Sequence, residues 1–231
     1  MVVIIAHQGA PSPDAPENTL EAFQRAGQIG ADGCECDVHL TRDGYIVVIH
    51  HRDLARVTNG GGDVREYTLR KLKTLNIKGN FKIPTLKEVL ELNIPLLFIE
   101  LKSAHNKEIY PGLVKGAVSL INYLKIRKEK VIFLSFNAEY LAELNNFPFR
   151  KMLLSKTFPD IEGLRDFKLY GLAIEHTILN REKVKLAHEK GLKVFAWTVN
   201  REDDIREVID WGVDYICSDD PVLVKKIAAE K

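Results

Sequence analysis

Short apolar runs rich in Val, Ile, Leu and Phe alternate with longer amphipathic stretches from one end of the chain to the other. The short runs are almost continuously hydrophobic, the pattern of strands buried on both faces. Eight are predicted, at residues 2–7, 33–40, 96–102, 131–136, 152–156, 169–176, 193–199 and 215–219. The amphipathic stretches predict helices over 19–29, 111–124, 138–145, 160–166, 181–189, 202–210 and 221–229. Asn18 and Asn180 stand where helix caps belong, and Pro221 after Asp220 suits a first helical turn. Gly30, Gly191 and Gly212 each follow a helix, where a left-handed cap is favoured.

Eight strands with intervening helices predict a closed (β/α)8 TIM barrel. An open doubly wound sheet more often has about six strands and a glycine-rich first turn. The first turn here, HQGAPSPDAPENT, lacks G-x-G-x-x-G. With 231 residues the chain is expected to form one catalytic barrel domain over 1–231. One segment breaks the rhythm. About fifty residues separate the second and third barrel strands, where a helix and its loops need roughly half that. Arg42-Asp43-Gly44 and the strand-like residues 45–50 predict a hairpin. Asn59-Gly60-Gly61-Gly62 and short helices near 69–75 and 86–92 follow. The whole, about 43–92, reads as an insertion on the C-terminal rim, too small for an independent core.

Composition narrows the function. Hydrophobic residues make up 45% and charged residues 28%, as in an ordinary globular domain. Lys plus Arg number 33 against 32 Asp plus Glu, and a net charge of +1 argues against a nucleic-acid partner. No apolar run approaches the ~20 residues of a membrane span. The start MVVIIAHQGAP has no basic leader region, so a cytoplasmic location is expected. Three cysteines, an odd number, fit a reducing compartment. Cys34 and Cys36 would lie about 7 Å apart on one face of a strand, too far to bridge, and read as wall residues.

Catalytic groups of such barrels sit at the C-terminal ends of the strands. There the first strand ends in His7, the second carries Glu35 and Asp37, the hairpin ends in His50-His51, and the third strand carries Glu100 and Lys102. Spacing by two puts Glu35 and Asp37 on one face, and likewise Glu100 and Lys102. One such carboxylate is more often a salt-bridge partner. Three converging on one mouth favour a hard divalent cation: Mg2+ or Ca2+ first, with Mn2+ as a further candidate. His7 and His50 are the acid–base candidates. Lys102 is either a counter-ion of the acids or a fixed charge for a phosphoryl oxygen.

The order His7-Gln8-Gly9, Glu17-Asn18-Thr19, Glu35-x-Asp37-Val38, Thr41-x-Asp43-Gly44 and His50 resembles the glycerophosphodiester phosphodiesterases. Pro84-Thr85-Leu86, Glu100-Leu101-Lys102, Ser135-Phe136, Trp197-Thr198-Val199-Asn200 and Ser218-Asp219-Asp220-Pro221 extend the resemblance over nearly the whole chain. It implies a metal-dependent barrel enzyme that hydrolyses small-molecule glycerophosphodiesters to glycerol 3-phosphate and an alcohol. It further implies His7 and His50 as catalytic acid and base, and Glu35, Asp37 and Glu100 as metal ligands. Gln8, Lys102 and Trp197 are implied on the substrate side. Two positions depart from the family pattern. Gln8 stands for an arginine that binds phosphate, losing charge and fork geometry, and His51 stands for an aspartate. A lysophospholipase D-like activity remains a rival, and would want an apolar rim groove from Phe81, Ile83 or Tyr110. So do a weakened phosphodiester-binding barrel and a Mg2+ barrel acting on small carboxylic acids. Head group, preferred ion and oligomeric state stay open.

Overall fold

Strands that are apolar on both faces belong inside a sheet, and here the sheet closes so that none of its eight parallel members is an edge. The computed structural model describes residues 1–103 and 109–230. Within them the strands are β1 (Val3–Ala6), β2 (Gly33–Leu40), β3 (Ile46–Val48), β4 (Leu97–Leu101), β5 (Val131–Ser135), β6 (Arg150–Ser155), β7 (Gly171–Glu175), β8 (Lys193–Trp197) and β9 (Tyr215–Ser218). All but β3 are parallel members of the ring, which β1 closes by pairing with both β2 and β9. The helices are α1 (Leu20–Gln28), α2 (Leu69–Leu72), α3 (Leu86–Leu90), α4 (Leu113–Tyr123), α5 (Ala138–Glu143), α6 (Arg181–Glu189), α7 (Glu202–Trp211) and α8 (Pro221–Ala228). The predicted (β/α)8 barrel is therefore the fold. Among the described residues no helix is long and apolar enough to cross a membrane.

Two predicted elements differ. Residues 160–166 do not form an α-helix; Glu162–Phe167 is a 3-10 turn ended by Lys168 in the left-handed region. The cap of α1 is Thr19, whose hydroxyl accepts from Ala22 N, and not Asn18. Asn18 sits at φ +57° with its amide directed at a carboxylate, so the next residue takes the capping position. Asn180 and Asp220 cap α6 and α8 as read from the sequence.

The inserted segment is held by alternation along β3, which pairs antiparallel with the end of β2. Ile46 and Val48 face the barrel wall, whereas Val47 and the following Ile49 face outward. There they join Leu54, Val64, Leu72, Ile77 and Ile83 in a buried aliphatic cluster. The segment, expected to be too small for an independent core, thus has a small buried cluster of its own, which β3 joins to the barrel because its alternate residues serve both.

The barrel interior is filled by Ile5, Phe98, Ile132, Leu134, Met152, Leu154, Ala173, Phe195, Tyr215 and Cys217. Phe98 packs on Phe195 and Tyr215, with ring centroids 4.8 and 5.2 Å apart. It lies two residues before Glu100 on the same face of β4 and forms the floor beneath it. Phe98→Ala is expected to lower the unfolding free energy by about 3–5 kcal/mol, measured by denaturant titration. A loss below about 1 kcal/mol would show that this floor is not close-packed.

Candidate active site

Strand alternation sorts the residues of β2 into two environments. Cys34, Cys36 and Val38 enter the apolar layer between sheet and helices, and the cysteines are free and buried. Glu35 and Asp37 point the other way, into the barrel mouth. The parallel register sets Asp37 beside Glu100 and Glu35 beside Phe98. One carboxylate oxygen from each of Glu35, Asp37 and Glu100 falls within 4.8 Å of the other two.

Asp37 is the most thoroughly held of the three. Lys102 Nζ donates to Asp37 Oδ1 and to Glu100 Oε1, both at 2.8 Å. Gln8 Nε2 and Asn18 Nδ2 donate to Asp37 Oδ2 at 2.8 and 2.9 Å. Both donors come from the tight loop after β1, where Gln8, Ala10 and Asn18 all have positive φ. Gly9 lets this loop lie on α1, since a Cβ there would come within 2.7 Å of Phe23 N. Gln8 N also donates to Glu35 Oε2 at 3.2 Å. Gln8, expected on the substrate side, therefore braces the acids and is not among the residues lining the cleft.

Charge is unevenly shared. Burial would raise Asp37, but the Lys102 ammonium, His50 and the donated hydrogen bonds hold it far below the ordinary carboxylate range. Burial, then the neighbouring Asp37 charge, pushes Glu35 well up. Burial also lifts Glu100 to about 7, against the pull of Lys102 and with the push of Asp37. Glu35 Oε1 is buried and has no hydrogen-bond partner among the described residues. An all-oxygen donor set, accumulated negative charge and an unpartnered carboxylate oxygen fit a hard divalent cation. The residues that could hold it are Glu35, Asp37 and Glu100.

Two imidazoles flank the acids. His7 Nδ1 donates to Asp219 Oδ1 at 2.6 Å, leaving Nε2 3.9 Å from Glu35 Oε2. Burial opposes protonation of His7, but the Asp219 bond and the charges of Glu35, Asp219 and Asp37 raise it to about 9. Asp219 is itself fixed by Asn200, whose amide donates to Oδ2 and whose carbonyl accepts from Asp219 N. His50 is lowered to about 4, chiefly by burial, with Lys102, His51 and His7 acting in the same direction against Asp37. His51 lies beside it, with ring centroids 4.4 Å apart.

A cleft of about 270 Å³ opens over this group. His7, Glu35, Asp37, His50, Glu100, Lys102 and Trp197 line it, and so do Phe136, Lys156 and Thr198. Trp197 stands edge-on to Phe136 at 5.8 Å, and its buried indole N–H has no partner among the described residues. Sequence reasoning missed Asp219, Asn200, Asn18 and Lys156 as contributors. The first three were visible in quoted motifs, but only folding shows that the chain ends meet. The apolar rim groove is not built from the residues suggested for it: Ile83 and Tyr110 are fully buried, and Phe81 packs on the cluster of the inserted segment.

A sequence profile of the glycerophosphoryl diester phosphodiesterase family matches residues 7–223. The chain is 38% identical to the glycerophosphodiester phosphodiesterase of Caldanaerobacter subterraneus subsp. tengcongensis, an alignment covering 95% of this chain and 94% of that one. Among solved structures, an Oleispira antarctica phosphodiesterase in complex with the product sn-glycerol-3-phosphate is similar with a TM-score of 0.86 at 29% identity, covering 98% of this chain and 96% of the other. The glycerophosphodiester phosphodiesterase of Thermotoga maritima gives 0.80 at 28%, covering 98% of both chains.

Glu35→Gln should weaken Mg2+ binding at least about tenfold in calorimetric titration while leaving the metal-free protein as stable as before or more so, because a repulsion is removed. Unchanged Mg2+ affinity would take Glu35 out of the cation site. Below about 7 a proton on Glu100 would compete with a cation held there. Affinity should therefore fall as pH drops through that value and level off above it; a pH-independent titration would contradict this.

Proposed function

The chain belongs to the glycerophosphoryl diester phosphodiesterase family, and on that premise we propose that it hydrolyses glycerophosphodiesters to glycerol 3-phosphate and an alcohol, with a divalent cation held by Glu35, Asp37 and Glu100. The observation that carries the reading is the convergence of these three acids between two unlike imidazoles in one cleft. When bound, a Mg2+ or Ca2+ ion there would neutralise non-bridging phosphate oxygens and acidify a hydroxyl close to it.

The chain's own residues supply the rest. His50, held neutral, has a lone pair free to take the proton of the attacking hydroxyl, whether of water or of the substrate glycerol. His7, held protonated by Asp219, is the group to protonate the departing alkoxide. Placing the two on different loops serves in-line displacement, in which the attacking and leaving oxygens lie on opposite sides of phosphorus. With Gln8 engaged by Asp37, Lys102 and Lys156 are, among the described residues, the lysines that line the cleft beside the protonated His7. Lys102 faces the phosphoryl group as a fixed positive charge. Trp197 and Phe136 wall the organic part of the substrate. The three free cysteines suit a reducing compartment, and we place the protein in the cytoplasm.

The deciding experiment incubates purified protein with several glycerophosphodiesters, with and without EDTA, and assays glycerol 3-phosphate. Release that EDTA abolishes and Mg2+ or Ca2+ restores is expected; none with any diester or ion would overturn the proposal. His7→Ala and His50→Ala should each cut kcat by about 100-fold or more, with divalent-cation binding retained. The rate should rise as His50 loses its proton and fall at alkaline pH as His7 loses its own. Asp219→Asn removes the charge that raises His7, so the alkaline limb should move to lower pH. A limb that stays in place would exclude Asp219 from setting His7.

A further inference from the structure

Histidine at position 51 creates a second group of ligand atoms, which shares only His50 with the hydrolytic mechanism. Glu17, His50 and His51 each present one ligand atom within 4.8 Å of the other two, and all three are only partly buried, open to an ion from solvent. We propose that these residues form a transition-metal site that takes Zn2+, and that its occupation switches the hydrolase off.

The donor set distinguishes this place from the carboxylate site. Two imidazole nitrogens and one carboxylate are borderline-soft ligands suited to Zn2+, whereas three carboxylates suit Mg2+ or Ca2+. The spacing also fits. His50 Nδ1 and His51 Nε2 are 3.4 Å apart. Two Zn–N bonds of about 2.0–2.1 Å at a tetrahedral angle put their nitrogens roughly 3.3–3.4 Å apart. As a hydrogen bond the same contact is long, and two neutral imidazoles can share only one proton across it. Glu17 makes no hydrogen bond or ion pair among the described residues, so its carboxylate is free to close the third position. Water completes the tetrahedron.

The binding half of the proposal stands on this geometry alone. The inhibitory half rests on the acid–base role given to His50 above. An imidazole bound to zinc through either nitrogen has committed one lone pair, and its other nitrogen carries the proton. It can accept no proton from an attacking hydroxyl until the ion leaves. Activity would then fall while the carboxylate site stays filled.

The test titrates Zn2+ into the whole protein by calorimetry in the presence of millimolar Mg2+, for the wild type, His51→Asn and Glu17→Gln. In parallel, hydrolysis of glycerophosphocholine is followed against Zn2+ at the same Mg2+ concentration. One zinc equivalent that Mg2+ does not displace is expected, with affinity at least about tenfold weaker in either variant. The inhibition midpoint, normalised to each variant's own zinc-free rate, should shift by the same factor. Zinc that Mg2+ competes away, or that binds both variants as tightly as the wild type, would place the ion on the carboxylates and overturn the site. Zinc bound as expected without loss of turnover would overturn the switch. If the zinc-free protein hydrolyses no diester, the hydrolase reading falls, and calorimetry still decides the site.

Discussion

A single ammonium group, that of Lys102, makes the acidic mouth of this barrel compatible with folding. Two ionised carboxylates within 4.8 Å of each other repel by about 3 kcal/mol even at an effective dielectric of ~20. Three such groups at the end of an apolar cylinder would not assemble unaided. Lys102 lies 2.8 Å from Asp37 and from Glu100 and keeps the first of them charged. Glu35, beyond its direct reach, carries the raised pKa and the unpartnered oxygen. The acids are thus graded, one fixed and two adjustable.

The loop from His7 to Asn18 serves the same purpose through backbone geometry. Its positive-φ residues turn a backbone N–H toward Glu35 and two side-chain amides toward Asp37. In this arrangement Gln8 has a positioning task. On the opposite side Asp219 and Asn200 form a hydrogen-bonded pair behind His7, so the two imidazoles meet different electrostatic surroundings although both lie at the same mouth.

What could be read from the sequence followed from period. Alternation by two put Glu35 with Asp37 and Glu100 with Lys102, and eight doubly buried strands left the closed barrel as the economical arrangement. What could not be read depended on chain closure and on backbone signs. Asp219 lies 212 positions from His7, and only the pairing of the first and last strands brings them together. Asn18 looked like a helix cap because its residue type suits one; its left-handed backbone, which sends the amide to Asp37, leaves no trace in composition. Ile83 and Tyr110 looked available for a lipid groove because loops are usually exposed. The inserted segment had a core to fill, and Ile83 went into it.

The shared strand β3 has a consequence for how this family member can diverge. Because its neighbouring residues serve opposite cores, adding or deleting one residue in the turn at Arg42-Asp43-Gly44 would exchange the two sets and pull His50 off the mouth. Length changes there are tolerable only in pairs. The glycine-rich stretch at residues 60–62 carries no such parity, but Leu54 N and Tyr67 OH donate to the carbonyls of Gly62 and Gly61 and so tie it to the insertion's core.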